Sequence, residues 1–284
     1  MTASFQTLRS QYASALKRFI SSSKAFEIIT STPPSDNSHP PTPEVLYVLD
    51  SSFNPPTVAH LRIASSPFLE QPSLPSRLLL LLATQNADKP SKPAAFEDRL
   101  VMMEMFAQDL LSNLKSTESR PINLPQIDIG VTKKPYFVNK ATEIESAGIY
   151  PRSIEQVHLI GYDTLIRVFN PKYYPPEHTL KPLEPFLARH RLRVTERPDD
   201  EWGSAEGQMA FLQSLSNGAL GFEGARPEWA ERIQFVKGKD PDEQPVSSTR
   251  ARQAAKGEAN IHDLEWLVPS NVRDYVLSQN PYTS

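Results

Sequence analysis

Residues 45–60 read VLYVLDSSFNPPTVAH, and this stretch decides the fold class. The apolar run at its start predicts a buried β-strand, and the two prolines predict a tight turn that opens into a helix. Free backbone N–H groups at a helix start, with the Thr57 hydroxyl and the His60 imidazole beside them, form a place to bind phosphate. A strand followed by such a turn and a helix is typical of α/β folds.

The same alternation continues along the chain. Apolar runs predict further strands at 77–83, 127–131, 157–160, 192–194 and 233–236, and helical spacing predicts helices at 57–66, 95–114 and 138–147. We therefore predict an α/β fold, a Rossmann-like, doubly wound, mostly parallel sheet with helices on both faces and a helical C-terminus. Ligands bind such sheets beyond the carboxyl ends of the strands, where the loops 51–60, 84–92, 161–163 and 246–252 would gather.

The composition excludes several kinds of function. The chain has 284 residues, a net charge of −3 and no cysteine, so disulfides, thiolate metal sites and a cysteine nucleophile are excluded. No apolar run approaches the roughly 20 residues that span a bilayer. Neither a glycine-rich P-loop nor a GxGxxG motif is present, which argues against a kinase-type NTPase and a dinucleotide dehydrogenase. We expect small-molecule substrates, with no nucleic-acid and no membrane partner.

Two segments precede the main domain, which we place at 45–284. Residues 1–30 carry apolar side chains at helical spacing among basic and serine residues, and they predict an N-terminal helix. That helix is either docked on the domain or a mitochondrial presequence. No cleavage signal is evident, so a docked helix and a cytoplasmic or nuclear location are preferred. Residues 31–44 are rich in Pro and Ser and predict a linker.

A second group of phosphate-binding side chains lies near the C-terminus. Residues 246–252 read VSSTRAR, which places Ser247, Ser248 and Thr249 at a helix start together with Arg252. Alone, this segment is equally typical of a capped surface helix. Its pairing with the first phosphate turn favours an enzyme that handles a nucleoside triphosphate.

The stretch from Ser52 to His60 resembles the ATP signature of the HxGH/TxxH nucleotidyltransferases, in the TxxH form of the eukaryotic nicotinamide mononucleotide adenylyltransferases. Residues 246–252 resemble the second signature of that family, ISSTxxR, with valine in place of isoleucine. Three other segments resemble family patterns, HRLxMxxLA at 98–107, GADxL at 161–165 and LVPxxVxxY at 267–275. The resemblance covers about residues 45–280 and is strongest to a divergent fungal branch.

The resemblance implies adenylyl transfer from ATP to nicotinamide mononucleotide (NMN), giving NAD and pyrophosphate by in-line displacement at the α-phosphate. His60 would bind the α- and β-phosphates with support from Thr57, and Arg252 would neutralise the leaving pyrophosphate. Mg²⁺ would sit on the ATP phosphates without a protein side chain as ligand. The remaining ATP-binding residues would be Ser52, Phe53, Asn54, Lys92, Gly161, Asp163, Ser247, Ser248 and Thr249.

The acceptor half of the site is carried by fewer residues. Relatives place a tryptophan that stacks on nicotinamide where this chain reads PYFVNK at 135–140, so Tyr136 or Phe137 would supply the ring. Arg197 matches a family arginine that follows a late strand. The basic pair Lys133-Lys134 would either meet the acceptor phosphate or stay in solvent.

Plainer interpretations of three of these residues remain open. Asp163 is also typical of a helix N-cap, and Arg197 of a surface salt bridge. Lys92, with Lys89 beside it, lies where the family carries a phosphate-binding lysine loop, but the same residues fit a solvated loop.

Two departures from the family pattern keep other functions open. Ser51 replaces the glycine that normally opens the first motif, and no tryptophan lies in the acceptor segment. One alternative is therefore an adenylyltransferase for another phosphomonoester. The other is a regulatory protein of the same fold that binds ATP or hydrolyses it slowly.

Overall fold

The computed structural model describes residues 2–33, 42–85, 93–117, 124–197, 202–238 and 243–282. Its strands form one seven-stranded sheet, and they are β1 (Phe26–Thr32), β2 (Val45–Asp50), β3 (Ser76–Ala83), β4 (Gln126–Thr132), β5 (Glu155–Gly161), β6 (Arg191–Thr195) and β7 (Ile233–Val236). The strand order is β1-β4-β3-β2-β5-β6-β7. Strands β2 to β7 are mutually parallel, and β1 pairs antiparallel with β4 at one edge.

Helices connect the strands and cover the sheet. They are α1 (Thr2–Ser21), α2 (Val58–Glu70), α3 (Phe96–Ser116), α4 (Phe137–Ser146), α5 (Tyr162–Val168), α6 (Glu184–Arg189), α7 (Ala205–Ser216), α8 (Ser248–Ala255), α9 (Leu264–Leu267) and α10 (Ser270–Gln279). Every strand predicted from an apolar run is present within two residues of its predicted bounds. The predicted mostly parallel α/β sheet with a helical C-terminus is confirmed.

Strand β3 is buried on both faces, as its leucine run predicts. Leu78, Leu80 and Leu82 pack in the cluster that includes α1, α2, α3 and α10, whereas Leu79 and Leu81 pack in the cluster on the opposite face with α4. All five leucines are at most 1% exposed. Burial of each contributes about 1.5–3 kcal/mol, so only a central position between two helical layers suits this strand.

The order of the strands reverses at β2. From β2 the chain moves outward through β3 to β4, and it then returns to place β5 on the other side of β2. Loops that leave β2 and β5 therefore diverge to opposite faces and open a crevice at the carboxyl ends of these strands. The phosphate turn follows β2 and the turn at 161–163 follows β5, so both border this crevice.

The predicted N-terminal helix at 1–30 is wrong for the residues after Ser21. Helix α1 ends at Ser21, and Phe26–Thr32 is a strand paired with β4. The segment FEIITST is rich in β-branched residues, which favour a pleated edge over a helix. The predicted linker at 31–44 therefore begins inside β1, and its residues 34–41 lie outside the described part of the chain.

Helix α1 is docked on the domain. Tyr12, Leu16 and Phe19 are buried in the main core cluster, and Arg9 donates to Asp98 at the start of α3 over 2.6 Å. This arrangement agrees with the docked-helix interpretation of the N-terminal sequence. Across the described helices, none combines the length and the apolar character needed to cross a membrane.

Candidate active site

The phosphate turn is anchored by a buried aromatic ring. Phe53 adopts a left-handed backbone conformation with φ of 45°, which costs a non-glycine residue about 1–2 kcal/mol. Its fully buried ring lies 5.8 Å from the His60 ring and 6.4 Å from Phe106, measured between centroids. Packing of this ring offsets the backbone strain. Of the predicted ATP-binding residues in the turn, the Phe53 and Asn54 side chains are buried and Ser52 is exposed.

Hydrogen bonds to its ring set the tautomer of His60, and burial sets its protonation state. The backbone N–H of Thr57 donates to His60 Nδ1 over 3.1 Å, and Thr57 Oγ1 lies 2.8 Å from the same nitrogen. Since Nδ1 accepts, the proton of the neutral imidazole is on Nε2. Burial lowers the pKa of His60 to about 4, so the ring is neutral at physiological pH. His60 is therefore an N–H donor rather than a cation or a general acid.

The two motifs predicted to bind phosphate contact each other directly. Ser248 Oγ donates to the carbonyl oxygen of Pro55 over 2.8 Å, and Arg252 Nη1 donates to that of Asn54 over 2.8 Å. Arg252 Nη2 also donates to Thr249 Oγ1 over 3.0 Å. Two segments that are 193–198 residues apart in the sequence thus form one continuous edge of the crevice.

Helix α8 presents its N-terminus at this edge. Ser247 is the N-cap residue, and its hydroxyl accepts from the backbone N–H of Arg250 over 3.2 Å. The Arg250 guanidinium lies 5.0 Å from the centroid of the Trp266 ring, away from the contact with the phosphate turn that Arg252 makes. The helix start therefore combines hydroxyl groups, backbone N–H groups and one guanidinium facing the first motif.

The turn after β5 brings two more predicted residues together. Gly161 is the N-cap of α5, and a Cβ atom at this position would lie only 2.7 Å from Asp163 Oδ1. A side chain at position 161 would therefore displace the Asp163 carboxylate from its place against the turn. Asp163 in turn lies 3.7 Å from Arg197 Nη1. The carboxylate and the guanidinium predicted to contact substrates are thus neighbours at the crevice.

The two candidate rings of the acceptor site differ in their surroundings. Phe137 packs its ring 4.7 Å from His158 and 5.1 Å from Phe186, so it belongs to the hydrophobic cluster around β5 and β6. Tyr136 is the N-cap residue of α4 and is half-buried. Within the described residues it makes no ring–ring contact. Tyr136 is thus the ring that remains available to a ligand.

A buried ion pair beside the phosphate turn was missed by the sequence analysis. Lys140 Nζ lies 2.5 Å from Asp50 Oδ2, and the side chains are 10% and 18% exposed. Asp50 ends β2 immediately before Ser51. A signal for this pair exists in the sequence, because Lys140 falls on the same helical face as Ile144, which is buried. A lysine on an apolar helical stripe indicates a buried partner.

A network of buried polar groups beneath α4 was also missed. Gln156 donates from Nε2 to the carbonyl oxygen of Ala141 over 3.1 Å, and its Oε1 lies 3.0 Å from His158 Nε2. The backbone N–H of Gln156 donates to His190 Nδ1 over 3.1 Å. Burial lowers the pKa values of both histidines, so both rings are neutral at pH 7.

The basic residues predicted near the acceptor are engaged within the protein or lie elsewhere. Lys133 Nζ donates to the carbonyl oxygen of Ser22, and Lys134 Nζ lies 3.1 Å from Glu143 Oε1. Lys89 and Lys92 fall at 86–92, outside the described residues. The phosphate-binding role of Lys92 stays a prediction.

Comparison with known proteins identifies the family. The chain is 35% identical over 274 residues to a Schizosaccharomyces pombe protein named "Putative nicotinamide mononucleotide adenylyltransferase", and the match spans 96% of this chain and 97% of that protein. The chain belongs to the nicotinamide mononucleotide adenylyltransferase family. It is accordingly an enzyme of the nucleotidyltransferase class, as the resemblance of its motifs implies. No family model matches the sequence.

Solved structures agree with this family at the level of the fold. Plasmodium falciparum nicotinic acid mononucleotide adenylyltransferase complexed with NaAD superposes with a TM-score of 0.51 at 13% identity, over 84% of this chain and 97% of that one. The same enzyme complexed with APC gives a TM-score of 0.48 over 84% and 97% of the two chains, at 13% identity. The first superposition supports the nucleotidyltransferase fold of this family member.

Proposed function

We propose that this enzyme transfers the adenylyl group of ATP to NMN, forming NAD and pyrophosphate in NAD biosynthesis. The observation that carries the proposal is the direct contact between the two motifs, in which Arg252 and Ser248 bond to carbonyl groups of the turn that leads into His60. Hydroxyl, imidazole and guanidinium donors then face one crevice. Such a donor set suits a triphosphate better than any neutral ligand.

Each residue of the site has a role that follows from its chemistry. The neutral imidazole of His60 supplies an Nε2 proton on the side of the α-phosphate, with Thr57 fixing the tautomer. The start of α8, with Ser247, Ser248 and Thr249, holds the β- and γ-phosphates, and Arg252 stabilises the charge that develops on the leaving pyrophosphate. The phosphate of NMN is already an anionic nucleophile. The reaction therefore needs alignment and charge neutralisation, and no general base.

Magnesium is expected to enter with ATP. Within the described residues, no group of three or more His, Asp or Glu side chains is placed to hold a metal ion. The crevice instead offers hydroxyl, N–H and guanidinium groups, which bind phosphate oxygens. Mg²⁺ bound to the triphosphate would neutralise charge on the phosphates, and the chain would orient the complex.

NMN is a better acceptor for this site than nicotinic acid mononucleotide. A nicotinate carboxylate needs a cation, and the lysines of the segment around Tyr136 already have partners. Lys134 pairs with Glu143, Lys140 pairs with Asp50, and Lys133 bonds to the carbonyl oxygen of Ser22. The uncharged carboxamide of NMN has no such requirement, so the desolvation cost favours it. Tyr136 would supply the stacking surface, and Arg197 is already paired with Asp163.

The test is a coupled assay with ATP, Mg²⁺ and either mononucleotide, read as dinucleotide and pyrophosphate formed. We expect NAD from NMN, with a higher kcat/KM than for nicotinic acid mononucleotide. The same pyrophosphate release with another phosphomonoester, but not with NMN, would assign a different acceptor. Tight binding of ATP without pyrophosphate release from any acceptor would favour a regulatory protein.

Replacement of His60 tests the site itself. His60→Ala should lower kcat about 10²–10³-fold, the scale of losing one preorganised donor in the transition state. The matched control is His262→Ala, because His262 is 77% exposed and lies outside the crevice. Near-normal turnover of the His60 variant, with the control also normal, would contradict the site assignment.

A further inference from the structure

The hydroxyl group of Ser51 lies directly in front of the catalytic imidazole. Ser51 Oγ is 3.0 Å from His60 Nε2, and the Ser51 backbone N–H donates to the carbonyl oxygen of Leu81 over 3.3 Å. The backbone of Ser51 is thus tied to β3, while its side chain contacts the ring. This contact is formed by the residue at which the sequence departs from the family pattern that it resembles.

The direction of this hydrogen bond follows from the tautomer of His60. Because Nδ1 accepts from the N–H of Thr57, Nε2 carries the proton and Ser51 Oγ accepts it. A hydroxyl group that accepts one hydrogen bond still has its own proton to donate. Among the residues that the structure describes, Ser51 Oγ makes no second hydrogen bond that would compete for this proton.

A phosphate that approaches the imidazole along the Nε2–H direction meets this hydroxyl first. Direct contact between the phosphate and His60 Nε2 would require the Ser51 side chain to move away from the ring first. If the serine stays, the imidazole polarises the hydroxyl and strengthens the bond that it donates onward. The second arrangement keeps the Nε2–H group of His60 hydrogen-bonded both before and after binding.

We propose that Ser51 is a substrate-contacting residue, whose hydroxyl accepts from His60 Nε2 and donates its proton to an oxygen of the α-phosphate of ATP. His60 is then a positioning residue that orients and polarises Ser51. The inference rests on the proposed adenylyl transfer and refines the role of His60 in it. No proton is transferred, because the imidazole stays neutral throughout.

A double-mutant cycle distinguishes this arrangement from two independent contacts. Ser51→Ala should lower kcat about 10²-fold, close to the loss in His60→Ala, since each change breaks the same chain of hydrogen bonds. In the double variant the loss should exceed that of either single variant by no more than about threefold. If the losses of kcat in the two single variants multiply in the double variant, His60 and Ser51 contact the phosphates independently, and the proposal is overturned. Activity of Ser51→Ala equal to or above the wild type would also overturn it.

Controls separate this chemistry from a change in folding. Ser216→Ala removes a hydroxyl group at the exposed end of α7, so its kcat should match the wild type. Thermal unfolding of Ser51→Ala and Ser216→Ala should stay close to the wild type, because neither variant removes core packing. If Ser51 were only structural, Ser51→Ala would lower the melting temperature, and its effect on kcat would be the same with and without His60.

Failure of the proposed function is distinguishable from failure of this inference. If the wild type forms no dinucleotide but binds Mg²⁺-ATP in calorimetry, adenylyl transfer to NMN is wrong while the phosphate contact is still measurable. In that case Ser51→Ala should raise the Kd for ATP about 5–10-fold and Ser216→Ala should leave it unchanged. Equal affinities of wild type and Ser51→Ala would overturn the contact.

Discussion

Loss of the Lys140 charge should destabilise the enzyme strongly. Lys140 Nζ lies 2.5 Å from Asp50 Oδ2, and only 10% of the lysine side chain and 18% of the aspartate side chain are exposed. Lys140→Met keeps much of the apolar stem and removes the charge, so Asp50 is left largely desolvated and without its cation. The cost of the change is the cost of an uncompensated buried carboxylate rather than of lost packing.

The expected size follows from this burial. Removing one partner of a buried ion pair costs about 3–5 kcal/mol, and the residual exposure of Asp50 places this pair at the lower end, about 3 kcal/mol. For a chain of this size that corresponds to a fall of about 6–12 °C in melting temperature. The double change Lys140→Met with Asp50→Asn removes both charges and should recover at least half of the loss.

Urea denaturation and calorimetry of the single and double variants measure these free energies. Lys134→Met is the matched control, since its pair with Glu143 is 37% and 28% exposed and should contribute no more than about 1 kcal/mol. A loss below about 1 kcal/mol for Lys140→Met, or a double variant less stable than the single one, would refute the reasoning that the pair is desolvated.

Two further predictions concern charge. In steady-state kinetics, Arg252→Ala should lower kcat/KM for ATP about 10–100-fold and leave the KM for NMN nearly unchanged. A rise in the KM for NMN alone would contradict the proposed role of Arg252. Stability should fall as pH drops below 6.5, because burial lowers the folded-state pKa values of His60, His158 and His190, so the unfolded chain binds more protons. His60 alone, with a pKa of about 4, accounts for about 2 kcal/mol between pH 7 and 5, and equal urea midpoints at these two pH values would contradict this.

The sheet was predictable because an apolar run within each strand's own segment marks β2 to β7. The leucine run of β3 has no polar face, and only a strand covered on both sides buries it. The phosphate turn is equally local, since Pro56, Thr57 and His60 are neighbours in the chain. Contact between this turn and α8 followed from topology, because loops after parallel strands share one edge of the sheet.

The features that escaped prediction depend on long-range pairing. Strand β1 needs β4 as its partner, and nothing within Phe26–Thr32 indicates that pairing. Lys140 and Asp50 are 90 residues apart, so the helical pattern marks Lys140 as buried, but its partner is defined only when the sheet brings α4 over the end of β2. The packing of Phe137 against His158 and Phe186 is of the same kind, and it leaves Tyr136 as the ring proposed to stack on the acceptor.

The two halves of the site are joined through Asp50. This residue pairs with Lys140 of the acceptor-side helix α4, and the chain continues from it into Ser51, whose hydroxyl contacts His60. A shift of α4 therefore acts on the strand end that carries the phosphate turn, since a buried ion pair is not relaxed by solvent. Gln156 holds the same helix from below through the carbonyl oxygen of Ala141. The proposed in-line transfer depends on the alignment of acceptor and α-phosphate, and on that proposal the attachment of α4 to the end of β2 would hold this alignment.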